Sequence, residues 1–322
     1  MKSTNLKNIL SQLNSKTLGA HIKALRMKQW TKNLVVFAAP LFAFEISVKS
    51  LFGSLLAFFL FCAASSSFYL LNDIFDVKSD RQHPVKSKRP IASGLVTIPT
   101  AIGMAICLQT FALVVSWLNS PALGLTILGY ALLQIAYNLR LKRAVIFDII
   151  VIATGFLFRA FAGAAATDIT LSTWFLLCIA MLALFLAIEK RKAELRLADI
   201  SKKKTRKVLQ SYSLPLLNRM ESLVTNGTVI TYMLWSAGPT LNGASTPWMM
   251  LTLPFVIYGV FRYQYLSDPQ EIARRSSDLE SGGQTERPEE VLLNDRSLRL
   301  NILTWVIALA LILFFKKQGF IT

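Results

Sequence analysis

Residues 51–94 read LFGSLLAFFLFCAASSSFYLLNDIFDVKSDRQHPVKSKRPIASG. Residues 51–71 are almost entirely apolar, and about 20 such residues in a helix are enough to cross the hydrocarbon core of a bilayer. A dense group of charged side chains follows at once, and it comprises Asp73, Asp76, Asp80, Lys86, Lys88 and Arg89. This stretch therefore predicts a membrane-spanning helix that ends in a strongly charged segment at one membrane surface.

The rest of the chain repeats the apolar part of this pattern. The 322 residues are 53% hydrophobic, include 21 Phe and have a mean hydropathy of +0.48, which is too apolar for an ordinary soluble domain. Apolar runs lie at 33–46, 51–71, 98–118, 121–139, 145–165, 172–189, 221–238, 247–264 and 299–315. We therefore expect an all-α, polytopic membrane bundle of about nine transmembrane helices.

The cations report the orientation of these spans. Of the 35 Lys and Arg, 31 fall in alternate connecting segments, and the exceptions are Lys49, Arg159, Lys316 and Lys317. This bias follows the positive-inside rule, so we expect an integral protein of the cytoplasmic (inner) membrane with its N-terminus and active-site cavity facing the cytoplasm. The same distribution accounts for the net charge of +17, and nothing in it indicates a nucleic-acid partner.

Two regions follow from this topology. Residues 1–32 form a basic N-terminal segment, in which apolar residues alternate with cations as in an amphipathic helix on an anionic leaflet, although a solvated tail has the same composition. Residues 33–317 form a single transmembrane domain. The sequence leaves open whether this domain forms a homo-oligomer, and whether the polar loop 267–290 gates the site or only links two helices.

The three aspartates predict a metal site. Asp73, Asp76 and Asp80 are spaced by three and four residues, so on one helix their carboxylates lie on one face and repel each other unless a cation lies among them. Carboxylate oxygens suit Mg²⁺, which binds through a few carboxylates together with substrate phosphates. A solvated charged connector is the alternative. His83 either orients one of these groups or is an ordinary loop residue.

Further charges lie at or inside the spans. Arg159 is the only Lys or Arg well inside a predicted span, and Asp148 lies eleven residues earlier on the same helix face, so the two either form a buried ion pair or contact a substrate anion. The segment AIEKRKAEL, residues 187–195, brings Lys190 and Arg191 to the end of another span. Positive-inside topology explains these cations, and so does binding of a phosphate at the rim of the metal site.

Together these groups predict transfer chemistry on a pyrophosphate ester. Mg²⁺ and cations stabilise the charge that develops on a departing pyrophosphate, and a cavity closed to water protects the electrophilic carbon left behind. The additional cations Lys142, Lys190 and Arg191 indicate two anionic substrates, one a soluble pyrophosphate ester and the other a lipid phosphate at the membrane boundary.

The chain also resembles a known family at these residues. NDIFDVKSDRQHPVKSKRPIASG, residues 72–94, is similar to the first aspartate-rich motif of the UbiA-type superfamily of intramembrane prenyltransferases. Members that prenylate aromatics carry a second DxxxD-type motif, where this chain has AIEKRKAEL. With MKQWTKN (27–33), YNLRLK (137–142), LFRAFAGAAAT (157–167) and LSTWFLL (171–177), it resembles the branch called decaprenyl-phosphate phosphoribosyltransferase.

The resemblance implies transfer of 5-phosphoribose from 5-phosphoribosyl 1-pyrophosphate to a polyprenyl phosphate. It implies that Asp73, Asp76 and Asp80 hold Mg²⁺ and act in catalysis. The residues that it implies in substrate binding are Lys28, Asn72, Lys86, Arg89, Tyr137, Lys142, Arg159, Lys190 and Arg191.

Two alternatives remain at this point. The first is a prenyltransferase that moves a prenyl group from a prenyl diphosphate to an aromatic or other acceptor, with the same aspartates gripping the lipid diphosphate. The second is a membrane carrier without catalysis, in which Asp148 and Arg159 line a permeation path.

Overall fold

The computed structural model describes residues 18–82, 85–201, 207–271, 291 and 294–321. Within these ranges the protein is helical and contains no strand. Residues 1–17, His83, and all of the predicted loop beyond residue 271 up to residue 290 lie outside the described residues.

Most of the α-helices overlap the predicted apolar runs. They are α1 (Ala38–Ala43), α2 (Val48–Phe75), α3 (Val77–Arg81), α4 (Ile98–Asn119), α5 (Pro121–Leu139), α6 (Phe147–Thr167), α7 (Thr173–Ser201), α8 (Leu214–Ser236), α9 (Leu253–Leu266) and α10 (Arg296–Lys317). Short 3-10 helices cover Met27–Phe37, Lys86–Lys88, Leu141–Arg143, Lys207–Ser211, Pro239–Leu241 and Pro247–Thr252.

Six of these helices are long and apolar enough to cross a membrane. They are α2, α4, α5, α6, α7 through Arg196, and α10. The other three predicted spans coincide with helical segments that are shorter or more polar: Met27–Phe37 with α1, α8, and Pro247–Thr252 with α9. The protein is therefore an integral membrane protein with an all-helical bundle.

Local sequence explains where the spans begin. Ser47, Thr97, Ser120 and Ser213 each precede a helix and accept a hydrogen bond from a backbone N–H in its first turn. Three of the four helices that follow, α4, α5 and α8, also carry proline within their first two positions, where the missing N–H costs no intrahelical bond.

The segment Met27–Phe37 is held inside the bundle by a close backbone approach. A Cβ added at Gly163 on α6 would lie 1.9 Å from the carbonyl oxygen of Val36, so only glycine fits there. The segment consequently packs against both α2 and α6. This contact places Arg26, which directly precedes the segment, and Asn33, which lies within it, against α2. Arg26 contacts Asp73 and Asn33 donates to Ser65.

Candidate active site

The aspartates lie where α2 ends. The helix stops at Phe75, Asp76 is the residue between α2 and α3, and Asp80 lies in the short α3. The predicted single helix carrying all three on one face is therefore wrong: the helix is interrupted at Asp76. Asp73 and Asp80 are buried, whereas the side chain of Asp76 is 24% exposed and contacts Lys142.

Two of the carboxylates converge on one cation. Nη1 of Arg89 lies 3.0 Å from Oδ1 of Asp73 and 2.6 Å from Oδ2 of Asp80. Arg26 donates from Nε to Oδ2 of Asp73 at 3.2 Å and from Nη2 to Oδ1. Both arginines therefore neutralise the buried aspartates, and Arg89 joins the two across the interruption in the helix.

This arrangement fits a divalent cation at two of the three aspartates. Asp73 and Asp80 direct oxygens at a single positively charged nitrogen, and carboxylate oxygens are the ligands that Mg²⁺ prefers. Asp76 instead accepts a hydrogen bond from Nζ of Lys142 at 3.2 Å. Across the described ranges, no three His, Cys, Asp or Glu side chains are grouped closely enough to hold one ion.

Sequence reasoning missed Arg26. Its backbone is left-handed, with φ of 53° and ψ of 48°, and its guanidinium lies 5.3 Å from the ring centroid of Tyr69. Ser66 accepts a hydrogen bond from Trp30 and donates one to the carbonyl of Leu25, which fixes this turn against α2. The only signal was its position directly before the MKQWTKN motif, since a non-glycine residue in this conformation cannot be recognised from sequence.

Several predicted residues lie around this cluster. Lys142, in the 3-10 turn after α5, reaches Asp76. Asn72 is half-buried in the last turn of α2, and its carbonyl accepts the N–H of Asp76. Lys86 is half-buried in the turn that leads to Arg89, whereas Lys28 is exposed.

Arg159 lies in a separate buried pocket. Its Nε donates to Oδ1 of Asn33 at 2.8 Å and its Nη1 to the carbonyl of Gly155 at 2.7 Å. Its guanidinium faces the rings of Phe61, Tyr130 and Phe156 at 5.0 to 5.6 Å. Asn33 also donates to Cys62 and Ser65, two to three helical turns before Asp73 on α2. Of the two expectations for Arg159, the ion pair with Asp148 is not formed.

Asp148 pairs with Arg191 instead. Nε of Arg191 donates to Oδ2 of Asp148 at 2.6 Å, and both side chains are at most 1% exposed. The hydroxyl of Tyr212 donates to Oδ1 of Asp148 at 2.7 Å and accepts the N–H of Ile146 at 2.6 Å. Burial, reinforced by the hydrogen bond to Asp148, raises the pKa of Tyr212 to about 12. Nothing in the sequence singled out Tyr212.

The AIEKRKAEL segment divides between two faces of α7. On one face Arg191 contacts Glu194 at 2.5 Å, and half-buried Lys190 interacts electrostatically with Glu194 first, and then with Arg191, Lys32 and Tyr137. On the other face Lys192 pairs with Glu189 and Glu221, and these three side chains are buried. Arg191 is thus enclosed by acids rather than open at a rim, while Lys190 is half-buried.

Comparison with known proteins gives a consistent result. The UbiA prenyltransferase family matches residues 34–279. A decaprenyl-phosphate phosphoribosyltransferase of Mycolicibacterium smegmatis is 38% identical over 308 residues, covering 92% of each chain. Another with the same name, from Corynebacterium glutamicum, is 36% identical over 302 residues, covering 91% of this chain and 86% of its own.

The fold is also shared with a solved structure. A UbiA homologue from Archaeoglobus fulgidus, bound to DMAPP and Mg²⁺, superimposes with a TM-score of 0.64 over 91% of this chain and 98% of its own, at 17% sequence identity. At that identity the likeness concerns the fold alone.

Proposed function

The chain belongs to the UbiA prenyltransferase family, and from that premise we propose that it is a phosphoribosyltransferase. It transfers 5-phosphoribose from 5-phosphoribosyl 1-pyrophosphate to a polyprenyl phosphate of the decaprenyl type and releases pyrophosphate. Relatives that carry the name of this activity are similar over nearly their whole length, and the charges of the site support the same reaction.

The observation that carries the proposal is the distribution of charge between the two sides of the site. On one side, Asp73 and Asp80 share the cation of Arg89. On the other side, α7 carries Lys190, whose charged neighbours are Glu194, Arg191 and Lys32. Acids on one side suit a metal-bound pyrophosphate, and lysines on the other suit a second anion, so both substrates carry phosphate.

The aspartates would hold Mg²⁺. Asp73 and Asp80 are the two whose oxygens converge, and Asp76 lies between them in sequence with its carboxylate on Lys142. When bound, Mg²⁺ supplies Lewis-acid stabilisation of the charge that grows on the leaving pyrophosphate.

The protein's own cations would act on the phosphates. Arg26 and Lys142 each contact one of the aspartates and Arg89 contacts two, so a pyrophosphate held beside these carboxylates would lie within reach of three positive charges. They stabilise the leaving group as the bond from ribose C1 to oxygen breaks. The lipid phosphate oxygen attacks C1 with inversion and needs no general base, because that oxygen is already ionised.

The remaining predicted residues have two kinds of role in this proposal. Exposed or half-buried side chains contact substrate directly, and these are Lys28, Asn72, Lys86, Tyr137 and Lys190. Arg159 and Arg191 are buried and bound to protein groups. We therefore propose that they position other groups: Arg159 those of the pocket for the ribose phosphate, and Arg191 those at the rim of the metal site.

The topology completes the proposal. The chain crosses the inner membrane about nine times, with Met27–Ala43, α8 and the segment Pro247–Leu266 as the crossings beyond the six long helices. Residues 33–317 form one domain, and the cavity opens to the cytoplasm, as the cation distribution predicts.

Turnover with both substrates tests this function. Purified protein, Mg²⁺, labelled phosphoribosyl pyrophosphate and a polyprenyl phosphate should give a labelled product that partitions into chloroform, and the unphosphorylated polyprenol should give none. If no product forms while a prenyl diphosphate and an aromatic acceptor react, the prenyltransferase alternative replaces the proposal. Solute flux in proteoliposomes without Mg²⁺-dependent turnover would favour a carrier.

A further inference from the structure

The turn before α6 has a strained backbone. Ile146 adopts φ of 71° and ψ of −45°, and it is the one β-branched residue among the described non-glycine positions with positive φ. A β-branched side chain is a steric outlier in that region, and such a conformation persists only where surrounding contacts hold it. The side chains of Val145, Ile146 and Phe147 are exposed, so their burial does not hold the turn.

A hydrogen bond from another element holds the turn instead. The N–H of Ile146 donates to the hydroxyl of Tyr212 at 2.6 Å, and that hydroxyl donates to Oδ1 of Asp148 at 2.7 Å. Tyr212 lies just before α8 and is 5% exposed. Arg191 of α7 contacts the other oxygen of Asp148 at 2.6 Å. One hydroxyl group therefore ties the strained turn to α6 and, through Asp148, to α7.

The same turn carries Lys142 into the candidate active site. Lys142 lies four residues before Ile146, in the 3-10 helix after α5, and its Nζ donates to Oδ1 of Asp76 at 3.2 Å. Successive backbone hydrogen bonds of 3.0 to 3.1 Å join residues 140 to 150. A change in the backbone at Ile146 would therefore be passed on to the position of Lys142.

We propose that Tyr212 is a positioning residue for Lys142. Its hydroxyl holds the strained turn at Ile146, and the turn places the Lys142 ammonium against the phosphates of the donor substrate, whose identity rests on the proposed function. A lysine side chain is long and flexible, so the backbone that carries it decides where its charge lies. A fixed turn suits stabilisation of the leaving pyrophosphate by a charge already in place. The hydroxyl proton of Tyr212 is given to Asp148, so Tyr212 acts through Lys142 and not on the substrate.

A double-mutant cycle tests this proposal. Tyr212→Phe and Lys142→Gln, alone and together, are assayed with Mg²⁺, polyprenyl phosphate and phosphoribosyl pyrophosphate at a temperature where all variants remain folded. Tyr212→Phe should lower kcat/KM for phosphoribosyl pyrophosphate about tenfold, because misplacing a group by about 1 Å can cost as much as about a hundredfold. It should leave KM for the polyprenyl phosphate unchanged. In the Lys142→Gln background Tyr212→Phe should have little further effect, since two residues that act as a unit are not additive.

Tyr232→Phe is the matched control. Tyr232 is another buried tyrosine, in α8, and its hydroxyl bonds to Thr252 and Trp305. Its loss should lower stability and leave kcat/KM unchanged. Three results would each overturn the proposal: an equal loss of kcat/KM in Tyr232→Phe, additive effects of Tyr212→Phe and Lys142→Gln, or wild-type kinetics in Tyr212→Phe.

Chemical labelling separates this inference from the proposed function. The side chain of Lys142 is 14% exposed, so an N-hydroxysuccinimide ester should acetylate it more slowly than the exposed Lys88, as mass spectrometry measures. Tyr212→Phe should raise the labelling rate of Lys142 several-fold and leave that of Lys88 unchanged, and Tyr232→Phe should raise neither.

This second measurement needs no turnover. If the wild type makes no product from phosphoribosyl pyrophosphate, the proposed function fails, and the labelling rate still decides whether Tyr212 positions Lys142. An unchanged rate for Lys142 in Tyr212→Phe would overturn the inference even in a fully active enzyme.

Discussion

Replacing Arg191 by glutamine separates two readings of the AIEKRKAEL segment. The sequence alone makes Arg191 a phosphate ligand at the rim of the site, whereas the structure encloses it between Asp148 and Glu194, with 1% of its side chain exposed. If the enclosed position is the relevant one, Arg191→Gln should lower the stability of the protein far more than it lowers its affinity for either substrate.

The size of the effect follows from burial. Asp148 is fully buried, so removal of Arg191 leaves a carboxylate whose one remaining hydrogen-bond partner among the described residues is the Tyr212 hydroxyl. Breaking a buried ion pair from one side costs about 3 to 5 kcal/mol, because the remaining charge has no compensation. Asp148→Asn with Arg191→Gln removes both charges, so the double variant should be more stable than Arg191→Gln alone. Tyr212→Phe should cost about 1.5 to 3 kcal/mol, as expected for one hydrogen bond to a charged group.

Two measurements on the same preparations decide the matter. Thermal unfolding in one detergent ranks the stability of the single and double variants, and steady-state kinetics at a temperature where all remain folded gives KM for each substrate. Lys88→Gln is a matched control, since Lys88 is an exposed cation in the charged segment that follows α3. If Arg191→Gln unfolds at the same temperature as the wild type and its KM for phosphoribosyl pyrophosphate is raised, the structural role is refuted and Arg191 is a substrate ligand.

Four further expectations concern the site and its support. Asp80→Asn should abolish Mg²⁺-dependent transfer while the protein still inserts into membranes, because Asp80 is one of the two converging carboxylates; full turnover in this variant would remove Asp80 from the metal site, and Asp168→Asn is the exposed control. Arg26→Gln should raise KM for phosphoribosyl pyrophosphate more than tenfold, because a charge-assisted hydrogen bond contributes about 1.5 to 3 kcal/mol, and an unchanged KM would exclude contact with the donor. Lys190→Ala should weaken binding of one anionic substrate. Unchanged kinetics for both substrates would mean that Lys190 serves only the positive-inside orientation of the helix. The pKa of Tyr212 is raised to about 12 from a usual value near 10, so the folded protein holds this proton more tightly than the unfolded chain does. The contribution of Tyr212 to stability should therefore be constant below about pH 10 and fall between about pH 10 and 12, and Tyr212→Phe should show a smaller fall in alkaline unfolding titrations.

The positions of the helices were largely predictable from hydropathy. The apolar run 121–139 coincides with α5, and 98–118 with α4, because serine or threonine followed by proline marks both starts. Helix α2 extends beyond its run at both ends, since Ser47 caps it earlier and Asn72 and Asp73 remain helical. Periodicity alone did not predict the interruption at Asp76, which divides the three aspartates into two that converge and one that does not.

The partners of the charged residues were not predictable in the same way. Asp148 and Arg159 share a helix face by spacing, yet each is bound by a residue from another element: Arg191 from α7, and Asn33 from the segment before α1. Asn33 and Arg159 are separated by 126 positions in sequence. Such pairs depend on which helices pack together, and a hydropathy pattern contains no information about neighbours in space.

The charges around α2 also suggest why metal and donor would bind together. Three aspartates are matched by three cations, with Arg26 and Arg89 on Asp73, Arg89 on Asp80 and Lys142 on Asp76. A divalent cation alone would have to displace guanidinium groups from buried carboxylates and leave them without a counterion, which is costly at this burial. A pyrophosphate alone would compete with the same carboxylates for the arginines. If both bound together, Asp73 and Asp80 would hold the metal and the arginines would hold the phosphates, so no buried charge would be left unpaired.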